Sequence, residues 1–281
     1  MENSPCPTRK VNAANPSSND VLRPCPLCSG QQWKPLFRQN EWEIVECLDC
    51  GMVFIKSLLA YEVQARNYDW AGEHAKEFRR RQQRQPVMLF LSQLLRPLRP
   101  DTNARMLSQT LRFRREGKLV DFGCGEGGFL ERAAPYFDLT GIELSPRGAE
   151  ISRRRVPSAV VLEGPVTEIA DRDLGAESFD LVTQFGYIEH EWYPLAGLRA
   201  AYRLLKPGGI TVIKTPNYAS WNRHIRGPDW CGYHIPGHCN YFTPRTLAQL
   251  LRHAGFEPLA RPLRDCLPTS DSLWMAALKP L

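Results

Sequence analysis

Residues 118–129 read KLVDFGCGEGGF, and this stretch limits the fold more than any other in the 281-residue chain. An apolar run, Leu119–Phe122, has the length of a buried strand. It ends in a turn with glycine at 123, 125, 127 and 128, and apolar residues at helical spacing follow: Phe129, Leu130, Ala133 and Ala134. A strand that passes through glycines into a helix aims backbone N–H groups and the positive helix end at one point, which suits an anion. Glycine also lets a ligand reach the backbone with no Cβ in the way.

The glycines parse in two ways. Gly123, Gly125 and Gly128 fit a G-x-G-x-x-G dinucleotide turn, with Glu143 about 20 residues on. Gly123, Gly125 and Gly127, with Asp121 two residues ahead, fit a different loop. Downstream, Asp138–Glu143 predicts a strand that ends in an acid. Ser145 and Pro146 then supply the N-cap and first residue of a helix. An acid at the end of a second strand can accept hydrogen bonds from both ribose hydroxyls. Ala159–Glu163 reads as a third strand, Thr167–Ala170 as a short helix and Ser178–Gln184 as a fourth strand. Leu195, Leu198, Ala201, Tyr202 and Leu205 mark a helix over Pro194–Leu204. Lys206-Pro-Gly-Gly209 turns it into a fifth strand, Ile210–Ile213. A helix at Pro244–Ala254 and strands at Phe256–Leu263 and Leu273–Leu278 close the chain. Strands alternating with helices predict the α/β class, with a doubly wound and mostly parallel sheet.

Nine cysteines need a separate account. The first 20 residues, MENSPCPTRKVNAANPSSND, carry no apolar leader, so a disulfide framework is not expected. Four of the nine form Cys25-Pro-Leu-Cys28 and Cys47-Leu-Asp-Cys50, a C-x2-C-x18-C-x2-C spacing. Each pair can point two thiolates at one ion, and two pairs complete a tetrahedron with Zn–S of about 2.3 Å. Gly51 permits the tight turn, and strand-like Trp33–Phe37 and Trp42–Glu46 lie between the pairs, so residues 21–56 read as a zinc ribbon. Four thiolates leave no open coordination position, which makes the site structural. A module of about 35 residues needs that ion for much of its folding energy. Residues 1–20 read as a disordered tail. Residues 57–115 read as a helical connector or lid, with Glu73–Arg84 polar and basic, Pro86–Leu95 apolar, and a further helix at Ala104–Arg115. No apolar run approaches the ~18 residues of a membrane span, and a cytoplasmic location is the expectation.

VDFGCGEGGF, GIELSP, SFDLVTQFGYIEH, LKPGG and Pro216-Asn217 together resemble a class I S-adenosylmethionine-dependent methyltransferase, over about residues 117–281 in the family's order. The resemblance implies a Rossmann-like seven-stranded methyltransferase sheet with an antiparallel seventh strand, in a domain over 116–281. It implies that Asp121, Gly123, Gly125 and Gly127 hold the methionyl part of S-adenosylmethionine and that Glu143 holds the ribose. Leu144 would pack on the adenine, and Gln184 would line the methionyl end. The family often has an acid after strand three. Here Gly164-Pro165-Val166 stands there, and backbone groups would serve instead. The ribbon narrows the resemblance to bacterial methyltransferases of small-molecule and saccharide biosynthesis, near the ubiquinone-type O-methyltransferases. Some 23S ribosomal RNA guanine methyltransferases combine similar parts but use a histidine as one zinc ligand. An RNA acceptor is therefore the alternative, and a nicotinamide-dependent oxidoreductase a more distant one.

On the acceptor side, a base is needed only for a hydroxyl or an acidic carbon, and histidine suits it at neutral pH. His190 follows strand four, at the sheet edge where ligands of open α/β folds sit. His238 lies in Pro236-Gly-His-Cys-Asn-Tyr-Phe-Thr-Pro244, which resembles the P-x-H-x-x-x-F-[ST]-P segment of ribbon-bearing methyltransferases. Either histidine can instead brace a loop or cap the next helix. Tyr187, Trp192, Tyr193, Trp221, Trp230 and Tyr233 can stack on an acceptor or fill core. Cys231, His234, His238 and Cys239 have the spacing of a second, partial metal site or of free side chains. Where base-amino methyltransferases carry an Asn/Asp-Pro-Pro-aromatic box, this chain has Gln184-Phe-Gly-Tyr187, which argues against that reaction on nucleic acid. The net charge of +6 is below what alone argues for a nucleic-acid partner, and the Arg runs at 79–81 and 153–155 read as solvated helix faces.

Overall fold

The computed structural model describes residues 21–58, 101–260 and 268–281. The 1–20 tail, the helical patterns at 73–84 and 86–95, and the end of the 256–263 strand lie outside the described residues.

Seven strands form the central sheet: β6 (Lys118–Phe122), β7 (Asp138–Glu143), β8 (Val160–Glu163), β9 (Phe179–Phe185), β10 (Leu205–Pro216), β12 (Glu257–Pro258) and β13 (Ser272–Leu278). Their order is β12-β13-β10-β9-β6-β7-β8. β10, β9, β6, β7 and β8 are parallel neighbours, and β13 runs antiparallel to both β10 and β12. The chain builds β6, β7 and β8 outward in one direction, then crosses back to lay β9 on the other side of β6. The carboxyl ends of β6 and β9 therefore flank the switch point, where open α/β sheets bind ligands.

The strands are apolar on both faces because helices cover both faces. Leu119, Leu139, Leu181 and Val212 point to one core, with Met106, Phe129, Leu130 and Ala149. Their neighbours Val120, Ile142, Val182 and Ile213 point to the other, with Ile169, Leu198, Leu247 and Leu250. The period of two along each strand decides this division. The first core is roofed by α1 (Thr102–Thr110), α2 (Gly128–Ala133) and α3 (Pro146–Arg155). The second is roofed by α4 (Val166–Asp173), α5 (Pro194–Leu204) and α7 (Pro244–His253). A short α6 (Trp221–Arg226) lies in the loop after β10.

Helix starts follow local chemistry. Ser145 caps α3 by accepting from Gly148 N, with Pro146 at the first position. Thr243 and Thr246 form a reciprocal capping box at α7. The predicted helix at 104–115 is shorter and starts earlier, at Thr102, because Asp101 caps it. The fifth strand is longer than predicted. Leu205 already pairs with Phe179, and the Lys206–Gly209 turn is an irregularity inside β10.

Cys47 ends a strand of a second sheet, made of β2 (Trp33–Gln39), β3 (Trp42–Cys47), β4 (Val53–Ile55) and β11 (Asn240–Tyr241) in the order β11-β4-β3-β2, and Cys25, Cys28 and Cys50 lie outside its strands. Asn40, at φ +54°, makes the β2–β3 turn. β11 comes from the loop after β10 and pairs antiparallel with β4. A separate pair joins β1 (Val21–Leu22) to β5 (Ser57–Leu58). Cys25, Leu27, Val45, Met52 and Phe54 belong to the same core cluster as Leu247 and Leu250 of α7. Among the described residues, no helix is long and apolar enough to cross a membrane.

Candidate active site

The glycine turn is built by its φ angles and by its return onto β7. Gly123, Gly125 and Gly127 have φ of +70°, +55° and +78°, a region side chains disfavour. Gly123 N and Cys124 N both donate to Ile142 O, which folds the turn back over the end of β7. A Cβ at Gly127 would lie 2.6 Å from Ser152 Oγ, so that glycine serves packing. A Cβ at Gly125 would meet nothing within 4 Å. That position faces open space and is where a ligand can approach.

Two buried carboxylates border the turn. Glu143 ends β7; its Oε2 accepts from Gly125 N and its Oε1 from Ser145 N, both at 2.8 Å. It therefore ties the turn to the start of α3. Leu144, next to it, is half-buried. Asp121 Oδ1 accepts from Thr183 Oγ1 at 2.7 Å, which links β6 to β9 across the switch point. Gln184, fully buried, donates from Nε2 to Thr211 Oγ1, while its Oε1 has no partner. Six of the seven residues that the sequence assigns to the cofactor thus gather around one turn and the adjoining ends of β6 and β7, while Gln184, near the end of β9, turns its amide to Thr211 of β10.

Burial, with the Glu143 charge adding to it and the Thr183 bond opposing, pushes the Asp121 carboxyl up to about 7. An unfolded aspartate titrates near 3.9. The folded state therefore holds this proton more tightly. The stabilisation it gives is complete below about pH 4 and is lost as pH rises to about 7. Ligand-free Asp121→Asn protein is expected to be more stable than wild type above pH 7, by on the order of 1–3 kcal/mol, with the gap closing toward pH 4. Thermal melts from pH 4 to 8 check this; a gap that does not change with pH would contradict it.

The loops after β9 and β10 meet at the same edge. Cys239 N and Asn240 N both donate to Glu189 O, and Asn240 Nδ2 donates to Glu191 O at 2.6 Å. His190 Nδ1 pairs with Gly237 O at 2.7 Å, and His238 Nδ1 with Gly232 O at 2.8 Å. A carbonyl only accepts, so each neutral ring carries its proton on Nδ1 and its lone pair on Nε2. The two rings meet edge to face with centroids 4.6 Å apart. Burial pushes the neighbouring Glu189 carboxyl up to about 7, despite the Lys214 charge, and its Oε2 has no partner. Glu189, His190 and His238 bring ligand-type atoms within 4.8 Å of one another. The suggested grouping of Cys231, His234, His238 and Cys239 is not the one formed, because Cys239 turns its Sγ to the carbonyls of Glu189 and Glu191.

Tyr187 connects the two halves. Its ring packs edge to face on Phe122, its Cβ lies 3.5 Å from a Cβ built on Gly123, and its hydroxyl donates to Glu191 Oε2 at 2.7 Å. Of the aromatics read as stacking candidates, Tyr187, Trp192, Trp230 and Tyr233 are buried, whereas Tyr193 and Trp221 are exposed. Thr183 and Tyr187 carry no sequence signal for these bridging roles, because the pairing of β9 with β6 creates them.

The four N-terminal cysteines also converge. Their Sγ atoms lie within 4.8 Å of one another, with Cys25–Cys50 and Cys28–Cys47 at 3.5 Å. Ligands of a tetrahedral site with Zn–S of about 2.3 Å stand about 3.8 Å apart, and a disulfide would need about 2.05 Å. Burial pushes the Cys25 and Cys50 thiols up, so thiolates there require a cation. Ser29 and Gly51, at φ +61° and +73°, close the two knuckles. This set can hold a metal ion.

Comparison with known proteins gives the family and the fold. A family profile described as a methyltransferase domain matches residues 90–261. A ubiquinone biosynthesis O-methyltransferase of Cereibacter sphaeroides is 31% identical over 203 residues, 69% of this chain and 79% of that one. The enzyme of the same name from Ruegeria pomeroyi is 34% identical over 158 residues, and the match spans 61% of its length. Two solved structures share the fold. A S-adenosylmethionine-dependent methyltransferase of Archaeoglobus fulgidus has a TM-score of 0.53 at 19% identity, covering 69% of this chain and all of that one. Another from Thermotoga maritima has a TM-score of 0.52 at 21% identity, covering 78% and 99%.

Proposed function

The chain belongs to the methyltransferase domain family and is an S-adenosylmethionine-dependent enzyme, and from that premise we propose that it methylates a small-molecule or saccharide acceptor in a biosynthetic pathway, at oxygen or at an acidic carbon. The names of its relatives favour oxygen. The family assignment supports the second parsing of the glycines, with Asp121 ahead of the turn, over the nicotinamide reading. The observation that carries the acceptor proposal is the His190–His238 pair. Two imidazoles with basic Nε2 atoms, beside a buried carboxylate and joined to the glycine turn through Tyr187, suit an acceptor that must lose a proton.

The cofactor supplies an electrophilic methyl group on a sulfonium. Asp121, Gly123, Gly125 and Gly127 would hold its methionyl part, Glu143 its ribose and Leu144 its adenine, with Gln184 at the methionyl end. The open side of Gly125 and the unpartnered Oε1 of Gln184 support this fit. The protein's task is alignment and exclusion of water, which together can lower a barrier by ~7–11 kcal/mol. His238 Nε2 would take the acceptor proton as the oxygen or carbon bonds to the methyl group, and His190 would hold or relay it. A His238→Gln variant is expected to lose about 100-fold in kcat, within the usual range for a general base, and to bind S-adenosylhomocysteine as wild type does. Labelled methyl transfer into a metabolite fraction, read beside calorimetric binding, checks this. An unchanged rate would make His238 a brace for its loop.

The four cysteines would hold a structural zinc ion, one per chain, as their separations and their need for a cation support. The domain division we propose is a tail (1–20), ribbon (21–56), connector (57–115) and catalytic domain (116–281), with β11 lent by the last to the ribbon sheet.

A further inference from the structure

Arg23 is a buried cation, with 5% of its surface exposed, and its guanidinium joins three separate segments. Nε donates to Ile55 O at 3.0 Å, on the ribbon strand β4. Nη1 donates to Trp192 O at 2.9 Å, in the loop after β9 that carries His190. Nη2 donates to Cys239 O at 2.6 Å and to Asn240 Oδ1 at 3.0 Å, in the loop after β10 that carries His238. The flat group lies over the Phe54 ring, 5.1 Å from its centroid. Its hydrogen-bond partners are carbonyl oxygens, not carboxylates. Burying a charge on such partners is a poor source of stability. What it supplies is geometry, because a planar fork with fixed donor directions sets the relative position of every acceptor it reaches. Ile55 N adds a bond to Cys239 O, so the ribbon edge and the Arg23 fork grip the same carbonyl. Cys239 is the residue after His238, and Trp192 is two residues after His190.

We infer that Arg23, carried by the ribbon segment, is a positioning residue for the acceptor site: its fork holds the His190 and His238 loops in the register that puts each Nδ1 on its carbonyl. The inference rests on the proposed roles of the two histidines. It gives the ribbon a second task beyond its own fold, since one side of the acceptor site hangs from it.

The test uses the full-length protein with S-adenosylhomocysteine bound, as wild type, Arg23→Lys and Arg23→Met. Lysine keeps the charge without the fork, and methionine keeps the stem without the charge. Long-range 15N–1H spectra of the histidine rings report the tautomers directly. The expected result is a single Nδ1–H tautomer for His190 and His238 in wild type and mixed tautomers in both variants, with the cofactor-product dissociation constant unchanged within about twofold. Arg23→Lys is also expected to slow labelled methyl transfer about 10-fold, and to add no further loss in a His238→Gln background, as residues acting through one another do. Wild-type ring spectra in both Arg23 variants would overturn the inference, and so would additive losses in the double variant. A His238→Gln protein with an undiminished rate would instead defeat the proposed role of His238, while the ring spectra still decide what Arg23 does.

Discussion

Gly125→Val protein is expected to fold and yet to bind S-adenosylhomocysteine at least about 100-fold more weakly, a loss of about 2.7 kcal/mol. Gly125 has φ +55°, and a β-branched residue there is strained by about 1–2 kcal/mol. That strain lowers the melting temperature by a few degrees without unfolding a domain of this size. The rest of the effect is steric. A Cβ at this position points into open space, so no protein group is displaced and the valine methyls would occupy the room that the proposed cofactor position needs. Gly127→Val makes the contrast. Its Cβ would meet Ser152 Oγ at 2.6 Å and Ser152 Cα at 3.2 Å, so its effect falls on α3 and on stability. Calorimetry and thermal melts on the two variants separate these outcomes. Wild-type affinity in Gly125→Val would mean that the glycine turn is not the cofactor cradle.

If the four-cysteine site holds the proposed structural zinc, chelation or Cys47→Ser is expected to lower the melting temperature by more than 10 °C. Structural zinc contributes about 10–16 kcal/mol of apparent binding energy in isolated finger peptides, and part of that would be folding energy here. Part only, because the ribbon is also held from outside. Phe54 and Met52 are in the core shared with α7, Arg245 Nη2 donates to Cys50 O, and the carbonyl of Leu27 pairs with His253 Nδ1. Trp42, Trp192, Trp230, Tyr218, Tyr233 and Tyr241 form one buried aromatic cluster between the ribbon and the loop after β10. Loss of the ion should open this cluster and shift tryptophan emission to the red. Binding of S-adenosylhomocysteine should survive, because the glycine turn rests on β6, β7 and α3. A metal-free protein with an unchanged melt and emission spectrum would contradict a structural role for the site.

The central sheet was legible in the sequence because its signals are local. The parallel strands carry apolar runs, most helix starts have a side-chain cap or a proline, and the glycine turn sits where strand becomes helix. The four cysteines were legible through their spacing. The acceptor corner was less so. His190 and His238 could be named from the places they occupy, but their contact depends on two loops meeting after β9 and β10. β11 is two residues long and pairs with a strand nearly two hundred residues earlier, so no periodicity announces it. Arg23 is a single arginine two places before a cysteine, and its role exists only once three segments surround it. For Trp192, Trp230 and Tyr233 the sequence left stacking and core filling open, and they fill core, in one cluster with Trp42, Ile44, Val53 and Ile55 of the ribbon.

The central claim is methyl transfer from S-adenosylmethionine to a small molecule. Its most direct test is transfer of tritiated methyl from S-adenosylmethionine to two substrates side by side: fractionated metabolites and total RNA from the source cells. The expected result is label in a metabolite fraction, in a bond stable to mild alkali, absent with Gly125→Val and strongly reduced with His238→Gln. Label confined to RNA, or no transfer to any metabolite fraction by a protein that binds S-adenosylhomocysteine, would contradict it.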